Sequence, residues 1–196
     1  MVRAMTAQPI HLYGDPVLRT KGEAVREFGP ALRAIGDGML ASMRAARGIG
    51  LAAPQVGLSL QLFVVDVRDK ENLPILNGKV VDPDTIMPLL FANATITIPA
   101  GDKEIYTEGC LSFPGITGEV ERIEKTIVQF RDADGAPHTL ECEGILARCI
   151  QHEYDHCQGI LFIDRMTQTH QLLVSTKIKK LKKKTLTELK KAKPKS

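Results

Sequence analysis

Glu143-Gly144-Ile145-Leu146-Ala147-Arg148-Cys149-Ile150-Gln151-His152-Glu153-Tyr154-Asp155-His156-Cys157 is the stretch on which the fold turns. Its apolar residues Ile145, Leu146, Cys149 and Ile150 recur at helical spacing, and Gly159 supplies a stop. On that helix His152 and His156 stand four residues apart, so both imidazoles project from one face and can hold one metal ion. Glu153 lies beside them, placed to handle the proton of a water. A chance match to His-Glu-x-x-His arises in roughly one such chain in a hundred. The other alternative is a pair of packed core histidines, but Glu153 would then be a buried unpaired charge, a cost of several kcal/mol.

Upstream, Lys125 to Arg131 and Pro137 to Cys142 flank Asp132-Ala133-Asp134-Gly135, whose Asp-Gly step marks a hairpin. Leu89 to Ile98 and Gln61 to Val67 read as further strands, and Ile10 to Tyr13 as a short one ended by Gly14-Asp15-Pro16. Residues 69–88, polar and rich in Pro and Asp, read as an excursion from the body. Pro30 to Arg47 carries Leu32, Ile35, Met39, Leu40 and Met43 at helical spacing, weakened by Gly36 and Gly38. Gly48 to Gly57 has no usable period and reads as a loop. Downstream, Ile178, Leu181, Thr185 and Leu189 form a thin stripe among lysines, predicting a marginal helix frayed toward Pro194. These elements predict an α+β fold: short, mostly antiparallel strands packed around the HExxH helix, with a basic C-terminal helix. Residues 1–170 form the expected domain and 171–196 its Lys-rich appendage, after a mobile start.

Composition sets the frame for that fold. The chain has 196 residues, 43% hydrophobic and 25% charged, which is ample for a core and unlike disordered or disulfide-dense chains. Its four cysteines lack a disulfide spacing and its first residues lack an apolar leader, so a reducing, cytoplasmic setting is expected. No apolar run approaches the ~20 residues of a membrane helix, so no membrane is expected as a partner. The net charge of +3 conceals an asymmetry: residues 177–196 hold ten lysines and one acid, while the rest carries 16 basic and 22 acidic side chains. Clustered lysines of this kind neutralise phosphates.

A catalytic site needs a third protein ligand beside the two histidines. The extended zinc-protease pattern fails, because Phe162 stands where its last His belongs, and Glu188 lies in the lysine tail. The cysteines remain. Cys149 precedes His152 by one helical turn, and free Cys is usually a small buried hydrophobe. Cys110 sits in Glu108-Gly109-Cys110-Leu111-Ser112, where a Gly-adjacent turn lets a thiol approach a metal. Spacing favours Cys110 and leaves Cys149 open, with Cys142 and Cys157 read as structural. In the Gly48–Gly57 loop, glycines allow close backbone approach and Gln55 offers an amide N–H to an oxyanion. The loop lacks the Lys-Ser/Thr of a phosphate-binding loop.

Together, Gly48-Ile49-Gly50-Leu51-Ala52-Ala53-Pro54-Gln55, Glu108-Gly109-Cys110-Leu111-Ser112 and His152-Glu153-Tyr154-Asp155-His156 resemble, in order and spacing, the three motifs of the peptide deformylases. The likeness spans roughly residues 9–165. It implies metal ligation by Cys110, His152 and His156, with Glu153 as general acid/base. It also implies an oxyanion site from Gln55 and the Leu111 backbone N–H. Gly48, Ile49, Gly50, Tyr106, Glu108, Gly109, Ile145 and Cys149 are implied in substrate binding, and Arg122 is expected to pair with Glu108. The implied reaction is removal of the formyl group from formyl-methionine at the N-terminus of nascent polypeptides. The implied cofactor is one divalent metal, Fe2+ natively, with Zn2+ or Ni2+ in purified protein. The Lys-rich tail is expected to face the ribosome and its rRNA. This chain departs from the family pattern at Arg47, where an acid is frequent, at Cys157, which replaces a common Leu, and in a longer 69–88 segment. The rivals are a module with a structural zinc and a zinc endopeptidase.

Overall fold

The computed structural model describes residues 7–192. In chain order its elements are α1 (Pro30–Ala45), β1 (Gly50–Ala52), β2 (Leu62–Val65), β3 (Ile75–Leu76), β4 (Lys79–Val80), α2 (Pro83–Ile86), β5 (Leu89–Thr97), β6 (Lys103–Gly109), β7 (Thr117–Ile123), β8 (Thr126–Arg131), β9 (Pro137–Cys142), α3 (Gly144–Cys157), α4 (Phe162–Arg165) and α5 (Gln168–Ala192). Seven strands form one sheet in the order β1-β2-β5-β8-β9-β3-β4, and β6 pairs with β7 in a second. Neighbouring strands run antiparallel throughout. Antiparallel strands mixed with helices, the last of them C-terminal, match the α+β class expected. Among the described residues no helix is long and apolar enough to cross a membrane.

α3 is buried over most of its circumference. Leu146 and Ile150 pack on the strand side against Phe63, Phe91 and Phe130, where Phe63 and Phe91 stack at 4.6 Å between centroids. Its polar side is bonded as well: the Gln151 amide donates to the Ile123 carbonyl and the Thr126 hydroxyl. Such satisfied bonds offset the cost of burying polar groups. On the opposite face of the sheet α1 buries Leu32, Met39 and Met43 against Leu51, Leu62 and Val64. Gly36, a weak helix former, lets α1 lie close to Leu90, whose Cδ1 would have to swing aside for a Cβ at that position.

Four expectations are corrected. Ile10 to Tyr13 is no strand: its donors are spent singly, His11 N–H on the Gln55 carbonyl and Tyr13 N–H on the Ser112 carbonyl. The Gly48–Gly57 segment is not all loop, since it contains β1 and a 3-10 turn over Ala53–Val56. Residues 69–88 fold onto the sheet edge. Asn77 and Gly78, both with positive φ, close the β3–β4 hairpin, and β3 pairs with β9. That pair of positive-φ residues is a hairpin turn of the type Asn-Gly favours. Finally, α5 runs 25 residues. Its stripe docks on a third cluster of Leu18, Phe113, Val120 and Phe162, which buries Val174 and packs Ile178 and Leu181. Tertiary burial supplies what its propensity lacks. The fraying toward Pro194 and the mobile start fall on residues 193–196 and 1–6, outside the described residues.

Candidate active site

Two elements deliver three metal-type donors to one place. α3 presents His152 and His156 one turn apart, their ring centroids 5.1 Å from each other. β6 ends at Gly109, so Cys110 leaves the sheet beside α3, with Sγ 3.2 Å from His156 Nε2. The donor atoms of Cys110, His152 and His156 all lie within 4.8 Å of one another. Cys149 is not in that group; its thiol is buried and turned to the Ile49 carbonyl at 3.7 Å. Burial pushes the Cys149 thiol well above its ordinary value and pushes Cys142 and Cys157 up to about 12.

Glu108 anchors the group from below. Its carboxylate accepts from His152 Nδ1 at 2.9 Å, from Arg122 Nε and Nη2 at 2.6 and 3.0 Å, and from Arg148 Nη1 at 3.0 Å. Burial alone would raise the Glu108 pKa, yet the bonds from His152 and Arg122 hold it at about 2. A carboxylate so held fixes the tautomer of a ligand imidazole, with its proton on Nδ1 and Nε2 left free. Arg122 continues to Asp155 at 2.9 Å, which Arg165 also holds.

Burial lowers His152, but its bonds to Cys110 and Glu108 outweigh this and pull it up to about 10. Burial and the neighbouring His152 push His156 the other way. To hold a divalent cation, His152 and His156 would be neutral and Cys110 a thiolate, the extra proton having been displaced. One thiolate and two imidazoles are a donor set that a divalent metal accepts with a position to spare. His156 Nδ1 and Glu153 Oε2 are both buried without a hydrogen-bond partner.

Glu153 is raised to about 7, chiefly by burial, with His152 opposing and Glu108 adding. A base poised there can both take and return a proton at neutral pH. Its carboxylate lies against β1: a Cβ on Gly50 would sit 2.6 Å from Glu153 Oε1. Gln55 is oriented without ambiguity. Its Oε1 accepts from Ala52 N–H at 2.9 Å, so its amide N–H groups face Ser112 Oγ at 3.2 Å and Cys110 Sγ at 3.5 Å.

These groups share a cleft of about 620 Å³. Gly48, Ile49, Gly50 and Gln55 wall it on one side, and Tyr106, Glu108, Gly109, Cys110 and Leu111 on the other. Ile145, Cys149, His152 and Glu153 of α3 close it, while His156 is buried outside the wall. Sequence reasoning missed Arg148, whose guanidinium lies 5.5 Å over the Tyr106 ring and also bonds the Glu104 and Val120 carbonyls. Its signal was a charge one turn before His152. Ser112, the partner of Gln55, was quoted only as part of a motif.

The sequence model of the polypeptide deformylases matches residues 7–172. The chain belongs to the polypeptide deformylase family. A deformylase of Opitutus terrae is 46% identical over 183 residues, covering 91% of this chain and 94% of that one. One from Mesorhizobium japonicum is 38% identical over 179 residues, covering 91% and 95%. Among solved structures, the crystal structure of peptide deformylase from Thermus thermophilus superposes with a TM-score of 0.77 at 36% identity, covering 91% of this chain and 99% of the other. The chain is accordingly a metallo-hydrolase that removes the formyl group from formyl-methionyl peptides. One metal ion belongs to that activity, and the group of Cys110, His152 and His156 is suited to hold it.

Proposed function

We propose that this deformylase works through one metal ion held by Cys110, His152 and His156 on a central HExxH helix, with Glu153 moving the proton. The observation that carries the reading is the approach of one sulfur and two imidazoles within 4.8 Å, beside a buried carboxylate poised near neutrality. A metal bound there would supply Lewis acidity, lowering the pKa of water to about 7. Glu153 accepts the water's proton as the formyl carbon is attacked, then delivers it to the departing amine. The Gln55 amide and the Leu111 backbone N–H hold the oxyanion, each worth about 3 kcal/mol in comparable sites. Ile49, Tyr106, Ile145 and Cys149 receive the methionine side chain. Gly48, Gly50, Glu108 and Gly109 shape the backbone path, along which the peptide pairs with a strand edge.

Fe2+ is the expected native metal, with Zn2+ or Ni2+ as substitutes in purified protein. Ferrous iron beside a thiolate makes the site oxygen-sensitive. A structural zinc wants four protein ligands, and among the described residues the group has three. The direct test is hydrolysis of formyl-Met-Ala-Ser under anaerobic conditions with ferrous salt. Wild-type protein turns over, while Glu153→Ala keeps its metal and loses turnover; an active Glu153→Ala variant removes Glu153 from the proton path.

Residues 1–170 form the deformylase domain in this reading, and 171–196 a basic appendage facing rRNA in a cytoplasmic setting. Lysines 177, 179, 180, 182, 183, 184, 190 and 191 lie on α5 with one acid, Glu188, which favours contact with phosphates. Truncation after Thr176 should abolish co-sedimentation with ribosomes at low salt. Unchanged co-sedimentation would end the tail assignment.

A further inference from the structure

The charge at the cleft mouth is not explained by the chemistry of its floor. Four acidic, arginine or histidine side chains line the cleft at depth: Glu108, Arg148, His152 and Glu153, all buried. Arg148 is bonded to Glu108 at 3.0 Å, in a buried network that also takes in Arg122 and Asp155. Arg47 is the fifth, and it is exposed. Its helix neighbour Arg44 is taken up by Asp66, which Arg68 also holds. Arg47 itself has no ion pair among the described residues. Glu104, the exposed acid of β6, turns toward Arg148 and is not part of the wall.

The backbone pins Arg47 at that spot. Its N–H bonds the Arg44 carbonyl at 3.0 Å, and the next N–H, of Gly48, bonds the Met43 carbonyl at 2.9 Å. Arg47 has φ +57°, a conformation that favours Gly or Asn over a long side chain. The arginine is therefore not there for the turn. A cation after α1 does complement the helix dipole, but that role touches stability alone and is indifferent to what enters the cleft.

The direction of the substrate gives Arg47 a second role. The formyl end must reach the floor, beside Cys110 and Glu153, so the rest of the peptide leaves through the mouth. An extended chain advances about 3.4 Å per residue, which brings the residues just after methionine to the rim.

We propose that Arg47 is a specificity-determining residue that favours formyl-methionyl peptides with an acidic side chain in the positions following methionine. The inference rests on the deformylase reading and names a substrate class for it. An exposed pair of this kind contributes modestly and is screened by salt. The expected effect is about a two- to five-fold preference in kcat/KM.

The test compares formyl-Met-Asp-Ala-amide, formyl-Met-Lys-Ala-amide and formyl-Met-Ala-Ser-amide on ferrous-loaded wild type, Arg47→Gln and Arg47→Glu. The readout is the Asp/Lys ratio of kcat/KM, from which any loss of active enzyme cancels. The ratio should exceed that of Arg47→Gln in wild type, invert in Arg47→Glu, and converge among the three proteins at about 0.5 M salt. A ratio common to all three proteins at low salt overturns the inference while leaving the deformylase reading intact. Failure of wild type to act on any of the peptides overturns that reading, and the inference with it.

Discussion

Replacing Gly50 by Ala tests how the proton-transfer carboxylate is seated. The φ of Gly50 lies outside the left-handed region, so Ala carries no backbone penalty and only space is at issue. The new Cβ would stand 2.6 Å from Glu153 Oε1, 2.8 Å from Glu153 Cγ and 2.7 Å from Cys149 Sγ. An ordinary contact needs at least 3.4 Å. The carboxylate must therefore retreat by roughly 0.8 Å, and the methylene contact prevents a simple swing of its far end. A displacement near 1 Å at a reacting group costs about 10²-fold, or about 2.7 kcal/mol of barrier. Overpacking adds about 1–3 kcal/mol of destabilisation. The donors of Cys110, His152 and His156 are not among the atoms struck, so metal content should stay at one per chain. Steady-state kinetics on formyl-Met-Ala-Ser, beside metal analysis of the same sample, should show kcat falling about a hundredfold at unchanged stoichiometry. A kcat within twofold of wild type would refute the account of how Glu153 is seated.

Two further predictions concern the charges beneath the site. The Glu108 carboxyl is held at about 2 against an ordinary 4.5. Its stabilisation is complete above pH 4.5 and is lost as the pH falls through 2, about 3 kcal/mol in all. Glu108→Gln should thus be less stable than wild type by at least that much at pH 7, with the gap narrowing below pH 4. Urea unfolding across pH 2–7 measures this, and a gap independent of pH would contradict the ion-pair account. Arg148→Met leaves the Glu104 and Val120 carbonyls without their donor and removes the cation from the Tyr106 ring, at a cost of about 2–3 kcal/mol. KM should rise more than kcat falls, because Arg148 supports the wall while Arg122 still holds Glu108 through two bonds; a pure kcat effect would count against that placement.

How much of this was legible depended on how local each signal was. α3 announced itself because its apolar stripe and its two histidines lie within one run of fifteen residues, and β8–β9 because Asp134-Gly135 sits between two strand-like runs. β6 and β7 escaped notice: six of the seven residues of β6 face solvent, Glu108 alone being buried, so no apolar alternation marks it. Their pairing is held by register, from Lys103 opposite Ile123 to Gly109 opposite Thr117. Asn77-Gly78 was a readable turn, hidden by the polar residues around it. Within the site, spacing favoured Cys110 but left Cys149 open. The separation depends on where β6 ends relative to α3, a contact between segments some forty residues apart. The reason for glycine at position 50 was likewise out of reach, since the atoms that exclude a side chain belong to a helix about a hundred residues away.

X-ray absorption on the zinc-loaded protein reads the metal's immediate neighbours directly. One sulfur at about 2.3 Å and two imidazole nitrogens at about 2.0–2.1 Å should appear, with one further light atom. The sulfur should vanish in Cys110→Ser and persist in Cys149→Ser. Two sulfurs, or a sulfur that survives the loss of Cys110, would contradict the assignment of the metal to Cys110, His152 and His156.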